Sequence, residues 1–385
     1  MIIDPADRTL SVKEYYFSRK NREIAALNAD GRDEPVINLG VGAPDGMPPV
    51  AAVEQLRETA LLAGVHAYQS YTGIPELRKA FAGWYSRYYG VELDPSTQIQ
   101  PLAGSKEGIL LISLAFLNEG DGVLIPDPGY PTYSSAARLC GARLISYDLM
   151  EDGGWYPDFD ALERMDLDGV KIMWTNYPNM PTGAPADRQL YRRLVDFGRR
   201  HGIMVCNDNP YSFILNDEPL SILAVEGAMD CCLELNSLSK AHNMSGWRIG
   251  MVAAQQDVIT QILKVKSQMD SGMFRPLQMA AVKALESGED WFRELNSIYA
   301  RRKKLAASIF DMLGATYNMD SQGLFLWGRI DGSGAELSDR LLYGAGVFIT
   351  PGFIFGRNGE HYIRISLCAP VETLEKARQR IAAIL

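Results

Sequence analysis

Between residues 123 and 266 short apolar runs alternate with stretches of helical periodicity, and few folds accept that alternation. The strand candidates are 123–126, 143–147, 171–175, 202–207, 232–236 and 249–253. Helical patterns lie between several of them, most clearly at 187–200 and 256–266. Parallel neighbours need a long crossover, and a helix is the usual one. The pattern therefore predicts an α/β large domain with a mostly parallel sheet flanked by helices on both faces. Ligands in such sheets bind beyond the carboxyl ends of the strands. Three chemically useful residues fall just there: Asn179, Asp208 and Lys240.

From about residue 287 the pattern changes. A long helical stretch, 291–313, leads to short strands at 323–330, 347–350 and 362–367, then a helix at 371–384. These segments predict a smaller α+β domain. The expected division is 48–286 for the large domain, with 1–47 and 287–385 forming the small domain and its N-terminal arm. The apolar run 108–117 is too short to span a bilayer and reads as a helix buried on all sides. No internal repeat or low-complexity tract is present.

Composition narrows the function classes. The chain has 385 residues, a net charge of −9 and a 47% hydrophobic content, which is ordinary for a globular protein of about two domains. An acidic chain without lysine or arginine blocks is a poor nucleic-acid binder. The cysteines, Cys140, Cys206, Cys231, Cys232 and Cys368, are odd in number and set among apolar neighbours. They read as reduced core thiols, and none has metal-ligand spacing, so no metal is expected. The polar first 33 residues lack the apolar stretch of a signal peptide, which makes cytoplasmic the expected location.

The chemistry is concentrated in Ser237-Leu238-Ser239-Lys240-Ala241-His242-Asn243-Met244-Ser245-Gly246-Trp247-Arg248-Ile249-Gly250. A lysine amine that loses its proton attacks aldehydes. Serines and an arginine beside glycines suit a phosphate. An aldehyde and a phosphate on one small molecule describe pyridoxal 5'-phosphate. A protein that uses it needs a lysine, a phosphate cradle, a ring clamp and a charge partner for the pyridine nitrogen. Gly104-Ser105-Lys106 before a helix offers an anion site through free N–H groups, although an ordinary helix cap reads the same way. Tyr130, in Pro126-Asp127-Pro128-Gly129-Tyr130-Pro131-Thr132-Tyr133, is a candidate ring clamp, and a rigid turn with two core tyrosines is the alternative. Asp208 is the candidate partner of the ring nitrogen, and Tyr211 and Asn179 are candidates for its phenolic oxygen; a helix cap and a turn are the plainer readings. Arg364, in an alternating strand, could hold a substrate carboxylate with two parallel hydrogen bonds.

Together, in this order, these segments resemble the class I/II aminotransferases, the fold-type I pyridoxal phosphate enzymes. The resemblance runs from Asn38-Leu39-Gly40-Val41-Gly42-Ala43-Pro44-Asp45 through Tyr68-Gln69-Ser70-Tyr71-Thr72-Gly73-Ile74-Pro75-Glu76-Leu77-Arg78 to the Arg364 strand. It implies that Lys240 carries the cofactor and shuttles protons, with Asp208 and Tyr211 as its catalytic companions. It implies a phosphate site made of Ser105, Lys106 (by backbone amides), Ser237 and Arg248. Tyr68 would reach the phosphate of a neighbouring subunit, making a homodimer with shared sites. Arg364, Asn179 and the Gly42 backbone would bind the substrate α-carboxylate. Two positions depart from the pattern: Met180 stands where a second asparagine is usual, and Asn209 where a glutamate is common.

The implied reaction moves an amino group between an L-amino acid and a 2-oxo acid by a ping-pong mechanism. An elimination on the same fold, such as a C–S lyase or synthase reaction, shares every cofactor contact and stays open. A non-catalytic, cofactor-sensing regulator would carry a DNA-binding module, for which the chain leaves no room before residue 38. Arg275 could meet a second substrate carboxylate, although a surface arginine is the commoner role for such a residue.

Overall fold

The computed structural model describes residues 2–31 and 34–385. Its centre is a seven-stranded sheet made of β1 (Ile99–Leu102), β2 (Gly122–Asp127), β3 (Arg143–Asp148), β4 (Val170–Thr175), β5 (Met204–Asp208), β6 (Cys232–Ser237) and β7 (Gly250–Ala253). The spatial order is β1-β7-β6-β5-β4-β2-β3. Strands β2 to β6 run parallel to one another. Only β7 runs against its neighbours, pairing antiparallel with both β6 and β1.

Helices cover both faces, so successive residues of the inner strands feed two different cores. Val123, Ile125, Ile172, Trp174, Cys206 and Leu233 pack on one face. Leu124, Met173 and Val205 pack on the other. This burial on both sides is why the strands read as continuous apolar runs rather than alternating ones. The exception is Glu234, wholly buried in β6. Its carboxylate accepts from Tyr85 Oη (2.9 Å), Asn207 Nδ2 (2.9 Å), Ser221 Oγ (2.8 Å) and the Ile222 amide (3.1 Å). Four donors compensate the lost hydration.

Two local expectations need correction. The predicted strand 202–207 starts later, because Gly202 is the left-handed C-cap of the helix Arg188–His201; the strand then runs on to include Asp208. The run at 108–117 belongs to the helix Ser105–Phe116, which is not buried on all sides. It packs against the helices Pro131–Leu139 and Gln256–Lys266, and Leu114 remains 44% exposed on the free side.

A second, four-stranded antiparallel sheet is ordered Thr350–Pro351, Tyr362–Ser366, Phe325–Arg329, Thr316–Tyr317. The 24-residue helix Glu289–Met312 precedes it. The N-terminal segment joins this half of the molecule. Ile37–Asn38 pairs parallel with Val347–Phe348, and Ile24 of the helix Tyr16–Ala29 packs on Leu342 and Phe348. The segment 39–47 then crosses between the sheets, held by Asp45 to Arg302 Nη1 and Nη2 at 2.7 and 2.8 Å. Among the described residues, no helix is long and apolar enough to cross a membrane.

Candidate active site

A cavity of about 460 Å³ opens at the carboxyl ends of β2, β4, β5 and β6. The large sheet forms its floor. Phe325, Phe355 and Arg364 of the second half, with Tyr15, Phe17 and Asn21 of the N-terminal segment, form its roof.

Asp208, the last residue of β5, is buried beneath the cavity. Its Oδ2 accepts from Tyr133 Oη at 3.0 Å, while Oδ1 is buried with no hydrogen-bond partner among the described residues. Burial pushes this carboxyl up to about 7; the Tyr133 hydrogen bond and the charge of Lys240 pull it partly back. A buried oxygen without a donor, aimed at a cavity, calls for a cationic N–H group. The protonated nitrogen of a pyridine ring supplies one, so the donor set fits pyridoxal phosphate. Tyr133 is itself fixed by stacking on Trp174, ring centroids 4.9 Å apart.

Lys240 follows β6, and its amine donates to the Gly42 carbonyl at 2.5 Å. Burial lowers its pKa; Cys368 and, more weakly, Asp208 oppose this, while the Arg364 and Arg248 cations add to it. A lysine so placed is neutral at lower pH than an ordinary one, which is the state that attacks a carbonyl.

Beside it lies an anion cradle. Gly104, with φ of +84°, turns the chain into the helix Ser105–Phe116, leaving the first N–H groups free toward the cavity. Arg248 adopts a left-handed backbone conformation (φ +55°) and donates to Ser245 O at 2.8 Å and Ala103 O at 3.4 Å. A Cβ on Gly104 would lie 2.2 Å from Arg248 Nη2, so glycine is what lets the guanidinium reach the helix end. Ser237 Oγ donates to Ser239 Oγ at 2.7 Å, and both serines line the cavity.

Across the cavity Arg364 is buried, 3% exposed, between the rings of Phe325 (3.8 Å) and Phe355 (4.6 Å). Nη2 donates to Gly40 O at 2.8 Å, Nη1 meets Met180 Sδ at 3.2 Å, and Nε is unpartnered. Burial pushes its pKa down to about 10. Among the described residues no carboxylate forms an ion pair with it or with Arg248. A desolvated guanidinium without an anion is costly, and a bound carboxylate relieves the cost.

The structure thus brings Ser105, Lys106, Tyr130, Asp208, Tyr211, Ser237, Lys240, Arg248, Gly42 and Arg364 to one cavity. One expectation changes. Asn179 lies outside the cavity lining: its Oδ1 accepts from Thr182 N and Oγ1 (3.3 and 2.8 Å) and its Nδ2 donates to Asn176 O (3.1 Å), so the amide is spent within its own turn. Asn176 and Met180 face the cavity instead. Gly42 lines the cavity, and its carbonyl accepts from the Lys240 amine. Tyr68 is 90% exposed and does not line this cavity. Arg275 also lies outside it, paired with Glu76 at 3.5 Å.

Sequence reasoning missed Tyr15, Phe17, Asn21, Tyr133, Ser239 and Met180. The Tyr15-Tyr16-Phe17 run in an otherwise polar arm was a signal for a buried contact, as was the second serine before Lys240. Tyr15 carries the Lys106 ammonium 4.6 Å from its ring centroid.

Comparison with known proteins agrees with this geometry. The family described as aminotransferase class I and II matches residues 34–381. The chain is 38% identical to an LL-diaminopimelate aminotransferase of Nitratidesulfovibrio vulgaris, covering 98% of each chain. It is 39% identical to one from Aquifex aeolicus, again over 98% of each. Substrate-bound BacF from Bacillus subtilis has a similar structure, with a TM-score of 0.93 and 34% identity, covering 100% of this chain and 98% of that one.

Proposed function

Since this chain belongs to the class I and II aminotransferase family, we propose that it is a pyridoxal phosphate-dependent enzyme that moves the amino group of LL-diaminopimelate, or an L-amino acid of similar polarity, to a 2-oxo acid. The observation that carries the reading is a pair of unsatisfied groups in one cavity lining, the bare Oδ1 of Asp208 and the Arg364 guanidinium without a carboxylate, with Lys240 in the same lining. The diaminopimelate preference rests on the relatives of that name at 38–39% identity over 98% of the chain.

When bound, the cofactor supplies an aldehyde for reversible bonding to amines and a ring that accepts the electrons of a breaking Cα–H bond. Asp208 keeps the ring nitrogen protonated, because a buried carboxylate favours a neighbouring cation. Ser105, Lys106, Ser237 and Arg248 would hold the phosphate, with Ser239 beside them. Tyr130 would clamp the ring, and Tyr211 would donate to the phenolic oxygen. Arg364 fixes the substrate carboxylate and so orients Cα above Lys240. The Lys240 amine would take the Cα proton and hold it for return, and the Gly42 carbonyl, which accepts from that amine, gives it a resting point. The 2-oxo product then leaves before the second substrate enters, which is ping-pong order.

The exposed apolar residues Met47, Val50, Leu61, Leu62 and Tyr68 support a homodimer. In it Tyr68, remote from its own cavity, completes the phosphate site of the other subunit. The two sheets, with the N-terminal arm on the smaller, form the two domains, divided near residues 47 and 287.

The test is a set of single half-reactions. Purified holoenzyme is mixed with LL-diaminopimelate, L-glutamate or L-phenylalanine, and conversion of the cofactor to its amine form is followed by absorbance. LL-diaminopimelate should convert it fastest, with a 2-oxo acid reversing the change. Preference for L-phenylalanine would move the reading to aromatic donors, which the Phe17 and Phe355 walls would then explain. Ammonia release without an added 2-oxo acid would point to elimination.

A further inference from the structure

We propose that Asp127 is a latch between the two sheets, a positioning residue that sets the substrate anchor through the loop carrying Phe355. Asp127 ends β2, three residues before Tyr130, and does not line the cavity. Its buried carboxylate reaches into the loop Gly352–Phe355 and Arg357–Gly359, which leads into the strand Tyr362–Ser366 of the smaller sheet. The backbone N–H of Arg357 donates to its Oδ2 at 3.2 Å, and that of Asn358 to its Oδ1 at 3.1 Å. Asn358 Nδ2 donates to the Asp127 carbonyl at 3.0 Å and to Asp148 at 2.9 Å. At the other end of the same short run, the Gly129 N–H donates to Phe355 O at 2.8 Å. Successive backbone N–H groups converging on one carboxylate form an anion nest.

The approach is close enough to dictate sequence. A Cβ on Gly356 would fall 2.0 Å from Asp127 Oδ1, and its φ of +144° is one that residues with a side chain avoid. The residue before that glycine is Phe355, whose ring lies 4.6 Å from the Arg364 guanidinium. The latch therefore fixes the Phe355 wall that keeps water from Arg364. Without the carboxylate, two N–H groups lose their acceptor, the loop loosens, and hydration weakens the hold of Arg364 on a carboxylate.

The test uses cofactor-loaded Asp127→Asn and Asp127→Ala, with Gly356→Ala as an independent variant should either fail to fold. The ligand is 2-methyl-L-glutamate, which lacks a Cα hydrogen and so binds without reacting; it rests on the amino-acid donor reading above. Its dissociation constant should rise about tenfold or more while cofactor affinity stays unchanged. Amide hydrogen exchange should accelerate in 352–359. Arg357→Ala keeps both backbone donors and should change binding less than about threefold. Unchanged exchange in 352–359, or an unchanged ligand affinity in the folded Asp127 variants, would overturn the latch. Equal loss of cofactor affinity would too, since that marks a general structural role. Should the wild-type enzyme fail to bind 2-methyl-L-glutamate, hydrogen exchange alone decides the latch, and the half-reactions above decide the donor reading separately.

Discussion

Asp208 and Arg364 carry opposite charges that are both expensive where they sit, and this gives two predictions at the scale of single residues. In cofactor-free protein the Asp208 carboxyl titrates at about 7 in the fold against 3.8 in its ordinary state. The folded form therefore binds more protons than the unfolded chain between those values, and this group makes stability fall as pH rises through that window. Asp208→Asn has no such dependence. Urea denaturation should show the cofactor-free variant gaining on wild type from about pH 4 to pH 7, by up to a few kcal/mol. A constant difference across that range would remove the buried, unpartnered carboxylate from the account. In the holoenzyme the same substitution should cost about a thousandfold or more in turnover, because the ring nitrogen loses its charge partner. For Arg364, substitution by alanine should raise KM for amino acids by about 10- to 100-fold, the worth of charge-assisted hydrogen bonds, and Arg364→Lys should recover only part of it. Steady-state kinetics on both variants decide this.

At the scale of elements, the strand ends do the positioning. Asp208 ends β5, Ser237 ends β6 and Asp127 ends β2, so one edge of the sheet collects residues that lie far apart in sequence. That much was legible, because parallel strands advertise themselves as apolar runs separated by helices. The phosphate cradle depends on a tighter detail. Gly104→Ala would place a methyl group against Arg248 and strain a backbone already at φ +84°. Cofactor affinity measured by equilibrium dialysis should fall about tenfold or more; an unchanged affinity would mean that the helix end does not hold the phosphate. The turn at 176–183 was less legible. Its two asparagines look equivalent in sequence, yet the fold spends Asn179 on Thr182 and turns Asn176 and Met180 toward the cavity. Residue type announces that an amide will bond; only the local backbone decides with which group. Leu114 makes the same point for burial, since an apolar run does not reveal how many sides of a helix its neighbours cover.

For the whole molecule, the two halves meet over the cavity through segments that sequence periodicity could not place. The arm residues Tyr15, Phe17 and Asn21 line a site whose lysine lies more than 200 positions later, and such contacts leave no periodic trace. The proposed homodimer would add a contact of the same kind. Mixing Tyr68→Ala with Lys240→Ala subunits should restore activity above either variant alone, because one site in each hybrid then combines an intact Lys240 with an intact Tyr68. No gain on mixing and re-equilibrating the subunits would show that each site is complete within one chain.

The most direct measurement treats the holoenzyme with borohydride, which turns a reversible bond between cofactor and amine into a permanent one, and then maps the labelled peptide. The account predicts a single label at Lys240. A label on any other side chain, or a purified protein that takes up no cofactor to be reduced, would contradict it.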